Sequence, residues 1–406
     1  MRFIKIQKLT LISLFILSPS VFAGAAFDGL NAQIGVGFAN LGSESSDDGP
    51  FQMGQKGALG NVAIGYSHAF KDRFNIAANL FYNFGSNKAG GWPDYYSENY
   101  KLKNIWGMSV EPGYYLTDST LGYLKLGYAT TTSELNDSVS GSTQYGRSSG
   151  ALVGLGMKQL ITNKIYMGAE AYKINFGSSS SILDGDGDLD SNKPNLTYGG
   201  LVLGYNFNDN GDHHLSYTNT SGVFNGINVQ LGGGFASLSA ENNWPTYDGR
   251  WNQSHNGFLG NIALGYSQNL NNQFNIAANL FYNFGTDNSG GNYGDEQLKT
   301  NNIWGISIEP GYYFTNTTLG YAKLGYASAS SKFVDVRSDY NTDFGRTDGF
   351  LYGFGVKELI TDHIYLGIEA YQINFSTSEM KNNIADYITS NKPAVTYGGL
   401  MVGYKF

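Results

Sequence analysis

The segment FNIAANLFYNFG stands at Phe74–Gly85 and again, unchanged, at Phe274–Gly285. Its apolar residues recur at every second position. Phe74, Ile76, Ala78, Leu80, Tyr82 and Phe84 fall on one face of an extended chain, and Asn75, Ala77, Asn79, Phe81 and Asn83 on the other. A period of two is that of a strand, whose successive side chains point to opposite faces. The stretch from Leu30 to Ala39 reads alike: Leu30, Ala32, Ile34, Val36 and Phe38 oppose Asn31, Gln33, Gly35, Gly37 and Ala39. A soluble sandwich also alternates, but its water-facing side carries many lysines and glutamates. Here the polar side is mostly Asn, Ser and Gly, as expected of an enclosed interior whose outer face meets lipid.

Working outward, the repeat covers most of the chain. NIWGMSVEPGYYL from Asn104 answers NNIWGISIEPGYYF from Asn301, and LGYLKLGYA from Leu121 answers LGYAKLGYA from Leu319. The halves also end alike, in TYGGLVLGYNF at Phe207 and TYGGLMVGYKF at Phe406. The offset drifts between blocks and not inside them, so the blocks are framework and the gaps are loops. Each half predicts eight strands, beginning in the first copy near Leu30, Gly57, Phe74, Asn104, Leu121, Ala151, Ile165 and Thr197. Short turns follow Phe70, Leu116 and Ile161, and longer segments are expected at residues 42–56, 86–103, 131–149 and 177–195. The predicted class is all-β: an antiparallel transmembrane β-barrel protein of sixteen strands in two eight-stranded repeats, at 24–207 and 224–406, joined by a linker at 208–223.

Composition agrees. Arg2, Lys5 and Lys8 precede an apolar run from Leu9 to Val21 that is too short to span a bilayer as a stable helix, with the small Ala23 ahead of Gly24. This is the pattern of a signal peptide over residues 1–23. No later apolar run reaches the roughly 18 to 20 residues of a membrane helix, which leaves a closed barrel as the way to span. Gly 55, Tyr 30 and Phe 25 are high while charged residues are only 14%, which suits curved strands and interfacial aromatics. With no cysteine there is no disulfide framework, thiolate site or lipid-accepting thiol. A net charge of -8 without a basic stripe argues against nucleic acid as a partner.

Each half resembles the small eight-stranded outer-membrane barrels of the outer-membrane protein A and opacity-protein type, over residues 27–207 and 224–406. The most specific element is the last strand, where Leu400, Val402, Tyr404 and Phe406 alternate to a terminal phenylalanine. The resemblance implies an outer-membrane location in a Gram-negative bacterium, with outer-membrane lipid and lipopolysaccharide as surroundings. It also implies that Tyr404 and Phe406 serve as the signal read by the barrel-assembly machinery. The duplication departs from the family, and no peptidoglycan-binding domain follows the barrel, so tethering to the cell wall is not implied.

Lysine or arginine on the lipid face near the midplane costs about 2 to 4 kcal/mol, so the charges test the parity. If Trp106, Met108, Val110 and Tyr114 face out, Glu111 faces the lumen; if Leu124, Leu126 and Tyr128 face out, so does Lys125. The short turn around Asp118 should set Glu111 and Lys125 opposite one another. Glu309 and Lys323 repeat them, and Lys158, Glu170, Lys357 and Glu369 take inward positions on the sixth and seventh strands of each half. The expectation is an ion cluster, of balanced sign, filling a narrow barrel; a gate or selectivity element is the alternative. Pro112 and Pro310 lie inside strands, where a local bulge is expected.

Other chemistry is sparse. Asp184, Asp186 and Asp188 begin as a calcium loop does, but Leu189 stands where such a loop needs glycine, Asn195 where it needs Glu, and the second half has no counterpart. It is a weak calcium candidate, more readily a solvated acidic loop. Of the histidines, His213 and His214 fall in the linker, His68 and His363 border short turns, and His255 belongs to an expected external loop. None recurs at equivalent positions, so no catalytic residue is assigned, and no enzyme, resident metal or cofactor is expected.

Two closures remain open. Each half closes into a narrow barrel plugged by side chains, or the halves merge into one sixteen-stranded diffusion porin. The linker favours two barrels, since its sixteen residues reach about 50 Å when extended. Inward tyrosines such as Tyr115, Tyr123 and Tyr172, and a complete closing strand ending at Phe207, favour them too. The loops carry no motif that names a surface ligand.

Overall fold

The computed structural model describes residues 26–45, 51–70, 73–91, 99–137, 141–182, 189–208, 223–244, 249–292, 296–335, 340–380 and 388–406. The expected signal segment, most of the linker, and Asp184, Asp186 and Asp188 lie outside these. The first half contains β1 (Gly29–Ser45), β2 (Phe51–Phe70), β3 (Phe74–Gly85), β4 (Asn99–Thr117), β5 (Thr120–Asp137), β6 (Gly141–Leu160), β7 (Ile165–Phe176), a short β8 (Ser179–Ile182) and β9 (Leu189–Asn206). The second contains β10 (Gly226–Trp244), β11 (Gly249–Asn269), β12 (Phe274–Gly285), a short β13 (Asn288–Asn292), β14 (Glu296–Tyr313), β15 (Thr318–Asp335), β16 (Tyr340–Leu359), β17 (Ile364–Phe375), a short β18 (Ser378–Glu379) and β19 (Ser390–Lys405).

Every pairing is antiparallel, and each half closes on itself. β1 pairs with β2 on one side and with β9 on the other, and β10 pairs likewise with β11 and β19. Ile34 faces Leu203 across the first closure, and Leu231 faces Val402 across the second. No ladder joins β9 to β10 among the described residues, so the single sixteen-stranded pore is not formed. Each half carries both edges needed to satisfy its own backbone N–H and C=O groups, and a closed ladder leaves no edge for the other half.

The alternation of the sequence becomes an inside and an outside. On β3, Phe74, Leu80, Tyr82 and Phe84 are exposed, while Asn75, Ala77, Asn79, Phe81 and Asn83 are buried in the lumen. The inward asparagines satisfy one another between strands: Asn61 Nδ2 donates to Asn83 Oδ1 at 2.6 Å, and Asn261 to Asn283 at 2.6 Å. The interior is narrow, and a Cβ on Gly156 would lie 2.1 Å from the Tyr123 ring, so glycine there makes the room that the ring fills.

Two local expectations are corrected. The long outer segments are in part strand: β1 and β2 pair from Gly29–Ser67 to Ser45–Phe51. Loss of apolar alternation marks where lipid ends, whereas the ladder continues for as long as backbone groups can pair. The prolines cause no bulge. Val110 pairs with Leu126 and Gly113 with Tyr123 in one unbroken register, while the residues between, Glu111 and Pro112, make no ladder pair to β5. The sheet omits the pair that the missing N–H forbids and keeps its register. One register shift in β4 lies between Lys103 and Trp106, where Asn104 has φ 53°, and Asn302 repeats it at φ 50°; a second falls between Tyr115 and Thr117, at the short turn. Asparagine tolerates that left-handed conformation better than most residues.

The barrels lie side by side. β7 and β9 face β17 and β19, and β2 faces β11. Outward residues that would otherwise be large and lipid-facing are small in this seam: a Cβ on Gly199 would meet the Ala370 Cβ at 2.7 Å, and one on Gly398 would meet the Ala171 Cβ at 2.6 Å. Met157, Ala169, Val356 and Ile368 form a buried apolar cluster beside them. At the short-turn end Thr318 Oγ1 donates to Gln159 Oε1 at 3.0 Å, and Thr120 Oγ1 to Glu358 Oε2 at 3.3 Å. At the opposite end Phe38 packs on Tyr352 and Phe354, and Lys56 Nζ donates to Asn374 Oδ1.

Candidate functional site

The two lumens hold most of the buried charge among the described residues, in layers that begin at the short-turn end. Phe27, immediately before β1, tucks into the mouth of the first barrel. It stacks on Tyr115 with ring centroids 6.1 Å apart and meets Tyr166 edge-on at 5.6 Å. Its N–H donates to the Tyr115 hydroxyl at 3.2 Å, and Asn206 Nδ2 donates to the Ala26 carbonyl at 3.0 Å, which pins the segment across the opening. Lys158 sits above it, with Nζ 4.9 Å from the centre of the Phe27 ring, 5.3 Å from Tyr166 and 5.4 Å from Tyr123. Ring faces carry negative quadrupole potential, so this cage holds the ammonium without a carboxylate.

The next layer is a triad of charges. Lys125 Nζ lies 2.8 Å from Glu170 Oε2 and 3.4 Å from Glu111 Oε1. Ser109 Oγ donates to Glu111 Oε1 at 3.2 Å, and the Tyr123 hydroxyl to Glu170 Oε2 at 3.3 Å. The second barrel repeats the arrangement: Lys323 Nζ is 2.8 Å from Glu369 and 3.4 Å from Glu309, with Tyr321 donating to Glu369 at 3.2 Å. Pairing and hydrogen bonding offset the cost of burying these charges, and each lysine joins a carboxylate on the adjacent strand to one two strands away. It fills the lumen at this level.

Above the triad the filling is aromatic, then aliphatic. Tyr172 and Tyr198 stack at 4.6 Å, as do Tyr371 and Tyr397, and Tyr172 donates to Asn83 Oδ1 at 3.0 Å. Leu41, Leu59, Ile105, Leu152 and Ile174 continue the core of the first barrel toward the outer end.

All eight charged residues singled out in the sequence lie buried in the two lumens, at Glu111, Lys125, Lys158, Glu170, Glu309, Lys323, Lys357 and Glu369. They do not form one evenly paired cluster. Glu170 stands opposite Gly156, two residues along the strand from Lys158, and is committed to Lys125. Lys158 and Lys357 take the aromatic cages instead, the latter between Phe224, Tyr321 and Tyr365. Tyr404 and Phe406 are exposed on the closing strand with ring centroids 5.1 Å apart, and the Phe406 N–H donates to the Ile227 carbonyl at 2.9 Å. Tyr205 and Phe207 reproduce the pair at 5.3 Å in the first half.

His255 stands in β11, not in an external loop, and its Nδ1 lies 2.9 Å from Gln52 Oε1 of the other barrel. Among the described residues no three His, Asp or Glu side chains converge as a metal site. The mouth-closing residues Phe27 and Phe224 escaped the sequence reading. Their signal was present: FDG at 27–29 and FNG at 224–226 recur ahead of the first strand of each half.

No family profile and no curated protein matches the chain. Among solved structures, it is similar to a Pseudomonas aeruginosa FadL homologue, at 12% identity over 95% of each chain and a TM-score of 0.32. It is also similar to Neisserial surface protein A, at 17% identity over 43% of this chain and 97% of that one, with a TM-score of 0.28. Ail, the attachment invasion locus protein of Yersinia pestis, aligns at 12% identity over 44% of this chain and 99% of its own, with a TM-score of 0.28.

Proposed function

We propose that the chain is an integral outer-membrane protein of a Gram-negative bacterium, carrying two plugged barrels, whose role is structural or in surface interaction through its outer loops. It passes no solute through its lumens. The observation that carries this reading is the continuous filling of each barrel: an aromatic lid at Phe27 or Phe224, the Lys125 or Lys323 triad, stacked tyrosines, then an aliphatic core. A diffusion channel needs a wider, water-filled interior than eight filled strands leave. Membrane insertion is supported by length. From Phe74 to Phe84 the exposed apolar face of β3 covers ten residue steps, about 33 Å along the strand and about 25 Å along the membrane normal at a tilt of about 40°. That is the height of the apolar band of a barrel in the outer membrane.

In this reading, lipid and lipopolysaccharide surround the exposed band, and Tyr404 and Phe406 at the closing strand serve recognition by the assembly machinery. The test is conductance. Purified chain reconstituted into planar bilayers is expected to give no stable steps; large, persistent steps that survive repurification overturn the proposal.

A further inference from the structure

We infer that the crevice between the two barrels, at their outer end, binds phosphate groups, and that the phosphorylated headgroup of an outer-leaflet lipid supplies them. The inference rests on the membrane placement above and adds a site to it. It begins with a row of residues. Lys173 on β7 pairs in register with Thr197 on β9, Thr197 with Asn40 on β1, and Asn40 with Lys56 on β2. This row lies one outward step beyond Ala171, Gly199, Phe38 and Ala58, the last apolar row of the same wall. Two residues along a tilted strand advance about 5 Å along the membrane normal, so the lysines stand where hydrocarbon gives way to headgroups. The second barrel carries Gln372, Thr396, Ser237 and Asn256 at the same level.

Where the two rows meet, a cavity of about 340 Å³ opens, lined by Lys173, Lys193 and Glu44 of the first barrel and by His255 and Asn256 of the second. A smaller cavity of about 110 Å³, lined by Lys56 of the first barrel and by Lys392 and Glu241 of the second, occupies the corresponding place with the roles of the barrels exchanged. The correspondence is positional: Glu44 pairs with Lys193 across β1 and β9, and Glu241 with Lys392 across β10 and β19. Each cavity therefore sets two lysines against one glutamate. Among the described residues neither Lys173 nor Lys193 has a carboxylate within ion-pair distance, although Lys173 is half-buried. In the row between Lys173 and Lys56, Asn40 is fully buried with both amide atoms unpartnered. Two lysines lining one cavity, with the Asn256 amide beside them, suit a phosphate, whose several acceptor oxygens accept charge-assisted hydrogen bonds from lysine.

The experiment compares the full chain with a variant carrying Lys173→Gln, Lys193→Gln, Lys56→Gln and Lys392→Gln. A control carries Lys101→Gln and Lys332→Gln, on β4 and β15. Each is folded into phosphatidylcholine vesicles containing a bisphosphorylated glucosamine lipid, extracted in mild detergent and weighed by native mass spectrometry, with folding checked by heat-dependent gel mobility. The unaltered chain and the control are expected to retain the phosphorylated lipid, and the four-lysine variant to retain about tenfold less, as loss of charged hydrogen bonds implies. Vesicles made with the dephosphorylated lipid should leave no adduct. Displacement of the adduct by millimolar inorganic phosphate assigns the same site to free phosphate and overturns the lipid source. Equal retention by the folded four-lysine variant overturns the site while leaving the membrane reading intact. An unaltered chain that stays monomeric in buffer without detergent removes the membrane reading itself.

Discussion

At the scale of single residues, the lumen separates two ways of keeping a buried lysine. Lys125 is held by two carboxylates, Lys158 by three rings. Their substitutions should therefore differ. Lys125→Met strands Glu111 and Glu170 without a cation, and the expected loss is about 3 to 5 kcal/mol, the usual cost of removing one partner of a buried pair. Lys158→Met keeps the volume and removes only a ring-held charge, so its expected loss is about 1 to 2 kcal/mol. Urea unfolding of the detergent-refolded chain, followed by tryptophan fluorescence, measures both; equal losses would remove the distinction. The sequence shows only part of this. That Glu111 and Lys125 share a face follows from alternation and the length of one turn. That Glu170 reaches Lys125 from two strands away depends on the curvature of the wall, which no local pattern encodes. The Phe27 lid was legible only as a repeated motif, since a phenylalanine ahead of a strand does not announce which way it folds.

Among the elements, closure is the decisive contact. Because Ile34 and Leu203 are direct partners, a chain carrying Ile34→Cys and Leu203→Cys is expected to crosslink on mild oxidation within the first half. Leu203→Cys with Leu231→Cys should not crosslink. Gel mobility before and after reduction reads the result, and the native absence of cysteine keeps it free of background. A Leu203–Leu231 link would restore the sixteen-stranded alternative. Strand number and facing were legible because a two-residue period leaves little freedom once one face meets lipid. Strand ends were not. β5 and β6 stay paired out to Asp137 and Gly141, beyond the point where regular apolar alternation stops, because Thr, Ser and Gln continue a ladder in water without such alternation to mark it.

For the whole molecule, the question is why two closed barrels should stay together. Lipid tails are as apolar as leucine, so burying leucine against leucine gains little in a membrane; close backbone approach and hydrogen bonds must hold the seam, as they do between membrane helices. The seam has both, with Gly199, Ala171, Gly398 and Ala370 at its centre and polar contacts at its ends. The outward position of small residues in β7, β9, β17 and β19 was visible in the sequence. It carried no meaning there, because a lipid-facing alanine and a barrel-facing alanine look the same until the neighbour is placed. The paired change Gly199→Leu and Gly398→Leu should therefore part the barrels without opening either. Thr197 Oγ1 and Asn256 Oδ1 lie 3.1 Å apart across the seam, so Thr197→Cys with Asn256→Cys serves as the reporter. Crosslinking is expected in the otherwise unaltered chain and should fall several-fold when both leucines are present, while heat-dependent gel mobility and the Ile34–Leu203 crosslink stay unchanged. If the leucines abolish closure as well, the seam is part of each barrel's own stability, and the halves are one folding unit instead of two.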